Sequence, residues 1–99
     1  MIRHVVMFKF KADEAPTRGE VANRLRAVLE PLADSVDGVT SLQFGVDDKD
    51  IPAHWDAVLI SEHTTKEALA AYQQHPDHLE ALKVINDLVS TKVVVDYTL

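Results

Sequence analysis

The stretch Ile2-Arg3-His4-Val5-Val6-Met7-Phe8-Lys9-Phe10 reads as a β-strand, because β-branched and aromatic residues recur in it at a period of two. Ile2, Val6, Phe8 and Phe10 then share one face, while Val5 and Met7 put large aliphatics on the other. A strand that is apolar in its middle on both sides needs cover on both sides. The rest of the chain has to supply that cover.

Working outward, Ala12 to Pro16 reads as a connecting loop, and Thr17 with Glu20 has the spacing of a helix capping box. Val21, Leu25, Val28 and Leu32 continue as one apolar stripe at helical spacing. Pro31, which lacks an N–H and crowds the preceding turn, predicts a break near Leu29–Glu30, and Asp37-Gly38 supplies the stop. A second strand is expected from about Val39 to Val46. The polar loop Asp47-Asp48-Lys49-Asp50-Ile51-Pro52 follows, then a third strand from about His54 to His63. Thr64 with Glu67 repeats the capping spacing and opens a second helix carrying Leu69 and Tyr72 on one face. Pro76 breaks that helix and is well placed to start another, running through Leu79, Leu82, Ile85 and Leu88. Thr91 to Tyr97 is the last strand.

The order β-α-β-β-α-β implies one α+β, ferredoxin-like domain over residues 1–99: a four-stranded antiparallel sheet with its helices on one face. Ala57 and Leu59 oppose Val58 and Ile60, and Val93 and Val95 oppose Val94, so these strands are two-sided as well. Helices can cover only one face. The other would expose a large aliphatic patch, at about 25 cal/mol per Å² of lost burial. A homodimer closed through that sheet face, giving a dimeric α/β barrel, is the expected remedy.

Composition narrows the chemistry. Ninety-nine residues with sixteen acidic and ten basic side chains carry a net charge of −6, which disfavours nucleic acid and anionic membranes as partners. The absence of cysteine excludes disulfides, thiolate metal sites and a cysteine nucleophile. Three scattered glycines make neither a P-loop nor a dinucleotide fingerprint, so no cofactor is expected. Apolar runs are far shorter than the about 20 residues of a membrane span. Arg3, His4, Lys9 and Lys11 interrupt the first of them, so a cytoplasmic location is the expectation.

The densest polar cluster is Tyr72-Gln73-Gln74-His75-Pro76-Asp77-His78, at the break between two helices. Tyr72 and His75 occupy neighbouring positions on a helical face. An imidazole and a phenol make a workable base and acid pair near neutral pH, able to remove a proton beside a carbonyl while polarising it. The same residues also fit a structural role, with His75 capping the new helix. Five histidines with Asp77 raise the question of a metal, but convergence of three ligands is not predicted and no metal is assigned. Asp47, Asp48 and Asp50 lack the spacing of a calcium loop.

The sequence resembles the stress-responsive A/B barrel (Dabb) family. The matching residues are Arg3-His4 followed by a strand ending Phe8-Lys9-Phe10-Lys11, the segment Trp55-Asp56-Ala57-Val58-Leu59, the run Tyr72-x-x-His75-Pro76-x-His78, and Val94-Val95-Asp96-Tyr97. The resemblance implies a dimeric α+β barrel with a cavity between sheet and helices. It implies catalytic roles for Tyr72 and His78, as in a polyketide-cyclase branch, with His4 in the pocket and supporting His78. It also implies a pocket including His75, Trp55, Asp56 and Phe8. At the start of the third strand that branch has a further pocket histidine where this chain has the Asp56 region, so the general family pattern is followed there. The expected function is a stress-associated barrel protein with a small ligand cavity for a hydrophobic or polyketide-like molecule. The alternatives are a cofactor-independent cyclase or lyase, and a small barrel monooxygenase using a residue such as Trp55.

Overall fold

A computed structural model describes residues 1–11 and 17–99; the loop expected over Ala12 to Pro16 lies outside the described residues. Strand β1 spans Ile2–Phe10, helix α1 Arg18–Leu29, the short helix α2 Leu32–Ser35, and strands β2 and β3 Val39–Val46 and Ala57–His63. Helices α3 and α4 follow over Lys66–Gln74 and Pro76–Leu88, and strand β4 over Val89–Thr98. The four strands form one antiparallel sheet in the order β2-β3-β1-β4, the ferredoxin-like arrangement expected from the sequence.

Local chemistry sets most of the boundaries. Thr17 caps α1 by accepting from the Glu20 N–H, and the α1 helix ends at Leu29, where Pro31 enforces a new start for α2. The second cap falls one residue later than its spacing suggested: Thr65, not Thr64, accepts from the Ala68 N–H. Strand β3 is also shorter than expected, starting at Ala57. His54, Trp55 and Asp56 instead belong to the loop, where Asp56 donates its N–H to the Phe8 carbonyl and accepts from Asp47. Gly38 has φ of 89°, and a Cβ there would meet the Ala68 Cβ at 2.9 Å, so glycine is required both by the backbone and by the contact with α3.

The core lies between the helices and one sheet face. Ile2, Val6, Phe8 and Phe10 from β1 join Ala57 and Leu59 from β3, and the helices add Val21, Leu25, Leu29, Leu32, Leu69, Ile85 and Leu88. Helix α4 turns differently from its leucine pattern: Leu79 is exposed, and Ala81 takes the inward position. On the opposite face Met7, Val93, Val95 and Tyr97 are exposed, flanked by half-buried Val5, Val58 and Ile60. Register places Val5 opposite Val95 and Met7 opposite Val93, so this uncovered apolar band is continuous across strands.

Asp56 latches the loop before β3 to the end of β1. Its carboxylate accepts from the Phe10 N–H at 2.8 Å and from Arg18 Nε at 3.1 Å, with Lys49 Nζ at 3.6 Å. Burial alone would raise this carboxyl, but the Phe10 N–H, Arg18 and Lys49 outweigh it and hold it below the usual range. Asp56→Ala leaves the buried Phe10 N–H without its acceptor and takes the carboxylate from Arg18, and should cost about 2–3 kcal/mol. Thermal unfolding should show this as a fall in Tm of roughly 10 °C or more.

Candidate functional site

His4 faces the helices from β1, and the antiparallel register puts it directly opposite Ser61 of β3 and Asp96 of β4. The Asp96 partnership is a side-chain one too: His4 Nδ1 lies 2.5 Å from Asp96 Oδ1. A carboxylate can only accept, so Nδ1 carries the proton and Nε2 is left for other work. Two residues beyond Ser61 on the same face of β3, His63 is fully buried, with Nε2 2.8 Å from Ser61 Oγ.

The helices bring the other two groups. Tyr72 sits in the last turn of α3, where its ring is fully buried. His75 is the single residue between α3 and α4, capping both, its Nδ1 accepting from the Asp77 N–H at 3.1 Å. The expected capping role of His75 is therefore real. His78 follows in the first turn of α4 and turns back to α3, donating Nδ1–H to the Gln73 carbonyl at 3.1 Å. That carbonyl is one of the unpaired acceptors that every helix leaves at its C-terminus. The bond fixes the tautomer and frees Nε2 as a lone-pair acceptor.

Ring contacts tie these residues into one cluster. Tyr72 lies between His78 and His63, with centroid separations of 4.6 and 4.8 Å, and His4 stands 6.1 Å from His63 and 6.2 Å from Tyr72. Two buried polar atoms here have no hydrogen-bond partner among the described residues, Tyr72 Oη and His63 Nδ1. Burial pushes the Tyr72 phenol up to about 12, so it serves as a hydrogen-bond donor at neutral pH.

Next to the cluster is a cavity of about 90 Å³. His4, Gln73, His78 and Lys92 give its polar lining, and Phe8, Leu59 and Ile85 are among its apolar walls. The structure thus brings together four of the residues predicted from sequence: His4, Phe8, Tyr72 and His78. It does not bring Trp55 or Asp56 to them. Trp55 sits 5.9 Å from Lys9 Nζ and lines a groove of about 710 Å³ with Met7, Val58 and Val93, on the uncovered sheet face. Asp56 is spent on the loop latch. His75 touches the site only as the joint between its two helices.

Sequence reasoning missed His63, Ser61 and Asp96. A signal for the first two was present: the period of two that puts Ala57 and Leu59 inside also puts Ser61 and His63 inside. Asp96 becomes visible only through the β1–β4 register. Among the described residues, no group of three or more His, Asp or Glu is arranged to hold a metal ion.

Burial lowers the affinity of both His63 and His78 for a proton. For His63 the nearby His4 adds to this while Asp96 opposes it; for His78 the Gln73 carbonyl opposes it and His4, Lys92 and His75 add to it. Both therefore fold neutral, whereas the unfolded chain takes up these protons near pH 6.5. The unfolded state binds more protons below that point, so stability should fall as pH drops below about 6.5, until the folded imidazoles are themselves protonated. Chemical denaturation between about pH 7.5 and 5 should show this loss, with a shallower slope in His63→Phe.

A family model described as "Stress responsive A/B Barrel Domain" matches residues 2–99. No curated protein matches the chain. Similar solved structures include a dimeric protein of unknown function and ferredoxin-like fold from Bacteroides fragilis, at 25% identity and a TM-score of 0.85, covering 99% of this chain and 95% of that one. A dimeric ferredoxin-like protein of unknown function from Thermobifida fusca has 24% identity and a TM-score of 0.85, over 99% and 90% of the two chains. A hydroxynitrile lyase from Passiflora edulis has 17% identity and a TM-score of 0.81, over 99% and 92%.

Proposed function

Because the chain belongs to the stress-responsive A/B barrel domain family, we propose that it works as a homodimer whose protomers each bind a small carbonyl compound between sheet and helices and exchange a proton with it. The observation that carries this reading is the convergence of His78 and Tyr72. Their rings lie 4.6 Å apart, His78 lining the cavity and Tyr72 buried against His78, with opposite proton habits: a neutral imidazole with a free Nε2, and a phenol that keeps its proton.

The roles follow from those habits. His78 Nε2 takes a proton from the carbon beside the carbonyl, or from the hydroxyl of a carbonyl adduct. Tyr72 Oη, buried and without a partner among the described residues, donates to the oxygen on which charge develops. His4, oriented by Asp96, completes the polar wall and stands beside Tyr72. A cavity of about 90 Å³ suits a ligand of a few heavy atoms; an apolar cavity of about 150 Å³ holds benzene. That scale favours a lyase-type or proton-exchange reaction over the cyclisation of a polyketide chain. The hydroxynitrile lyase among the solved neighbours makes a small carbonyl compound a sensible first probe.

Butanone in deuterated buffer tests the chemistry. The protein should speed deuterium uptake beside the carbonyl, read by NMR, and Tyr72→Phe and His78→Gln should each lower that rate about a hundredfold or more. Tm should move by no more than a few degrees. No acceleration by the unaltered protein, or full activity in His78→Gln, would overturn the reading.

Dimerisation rests on the uncovered band of Met7, Val93, Val95 and Tyr97, each buried Met or Val contributing about 1.5–3 kcal/mol. Two of the similar solved structures are described as dimeric. Light scattering should give twice the 11.0 kDa chain mass, and Val95→Glu should return a single-chain species.

A further inference from the structure

Lys92 has no place in the proton exchange described above, yet its position bears on what the cavity accepts. It is the cross-strand partner of Phe8, which puts it on the helix-facing side of β4, and it lines the cavity together with His4, Gln73 and His78. Its side chain remains exposed, so it stands at the mouth. Among the described residues no carboxylate lies within 4.0 Å of its ammonium, whereas Lys49 and Lys83 are paired with Asp56 and Glu80. The one acid built into this neighbourhood, Asp96, is held by His4 at 2.5 Å.

In a chain of net charge −6, a cation that no carboxylate of the described residues pairs, beside an apolar hollow, is a selective feature. We infer that Lys92 makes the pocket selective for small carboxylate ligands, whose acid group pairs with its ammonium at the mouth while a short apolar body lies among Phe8, Leu59 and Ile85. This rests on the pocket reading above and adds the ligand class to it. The geometry matches a short aliphatic acid: a few carbons fill the about 90 Å³ of the cavity, and the charged end stays in partly solvated surroundings, where pairing with an ammonium does not require full desolvation. The charge of Lys92 also reaches His78, on which it acts to disfavour the protonated imidazole, so an anion seated between them would meet both groups. The substrate class that follows is an oxo or hydroxy acid of about four or five carbons, bound more tightly than a neutral ketone of similar size.

The test compares isovalerate with isovaleramide, which share a carbon skeleton and differ in charge. Calorimetry on the intact protein at low ionic strength should give at least tenfold tighter binding of the acid. NMR should show the His78 ring resonances moving with either ligand. Lys92→Met should abolish the preference while leaving the amide affinity within about twofold, and Lys92→Arg should restore most of it. A lysine that only guards an edge strand against pairing would leave selectivity untouched by either substitution. Equal binding of acid and amide, or an unchanged preference in Lys92→Met, overturns the inference while the pocket stands. If neither ligand binds, carboxylate selectivity is overturned, and the butanone exchange then decides separately whether the pocket reading fails with it.

Discussion

Strand β1 has to present apolar side chains on two faces at once, and the rest of the structure depends on that constraint. It lies between β3 and β4 with its nine residues alternating strictly in facing. One set of side chains packs under the helices; the other forms the middle of an apolar band that no helix reaches. A slip of one residue would exchange the two sets and drive Arg3 and Lys9 into the helical core. The pairing is fixed in part by Asp56, which takes up the N–H of Phe10 where the register against β4 shifts. Sheet order, helix placement and the position of His4 are all consequences of this one register.

The buried polar cluster is the place where the fold departs from the cheapest packing. Phe or Leu at positions 4, 61 and 63 would fill the same end of the core without polar atoms to satisfy. Instead an imidazole, a hydroxyl and a second imidazole face a buried phenol, and two of their atoms have no partner among the described residues. Each such atom costs about 1–3 kcal/mol. A domain of this size has little stability to spare, so groups of this kind fit a region shaped for binding rather than for rigidity alone. The cavity adjoining them has polar groups on one side and apolar walls on the other.

Most of the fold could be read from the sequence because its signals are local. Period-two strands, the Thr17 cap, the Pro31 and Pro76 breaks and the Asp37-Gly38 stop each act within a few residues. Where local signals competed, the structure chose differently: Thr65 displaced Thr64 as the cap, and Leu79 gave its inward place to Ala81. Half of the site was equally legible. Tyr72 and His78 stand out as a dense polar run across a proline break, and His4 through its strand and the family resemblance. His63 was harder, since a histidine at a strand end can face either way until the strand's phase is known. Trp55 and Asp56 mislead for a related reason: they precede β3 rather than belonging to it, so the strand's alternation does not govern them. Asp96 and Lys92 depend on pairing between strands more than eighty residues apart, which no single stretch of sequence displays.

His75 is at once the C-cap of α3 and the N-cap of α4, so a single residue separates the two helices. Tyr72 and His78 flank that joint at three residues to either side, and the backbone between them contains no loop whose length could drift. Phenol and imidazole are therefore inherited as one seven-residue word. Insertions elsewhere in the chain can lengthen turns or remodel the mouth without changing the spacing of these two groups, while one extra residue inside the word would swing His78 about 100° around its helix axis and away from its companion.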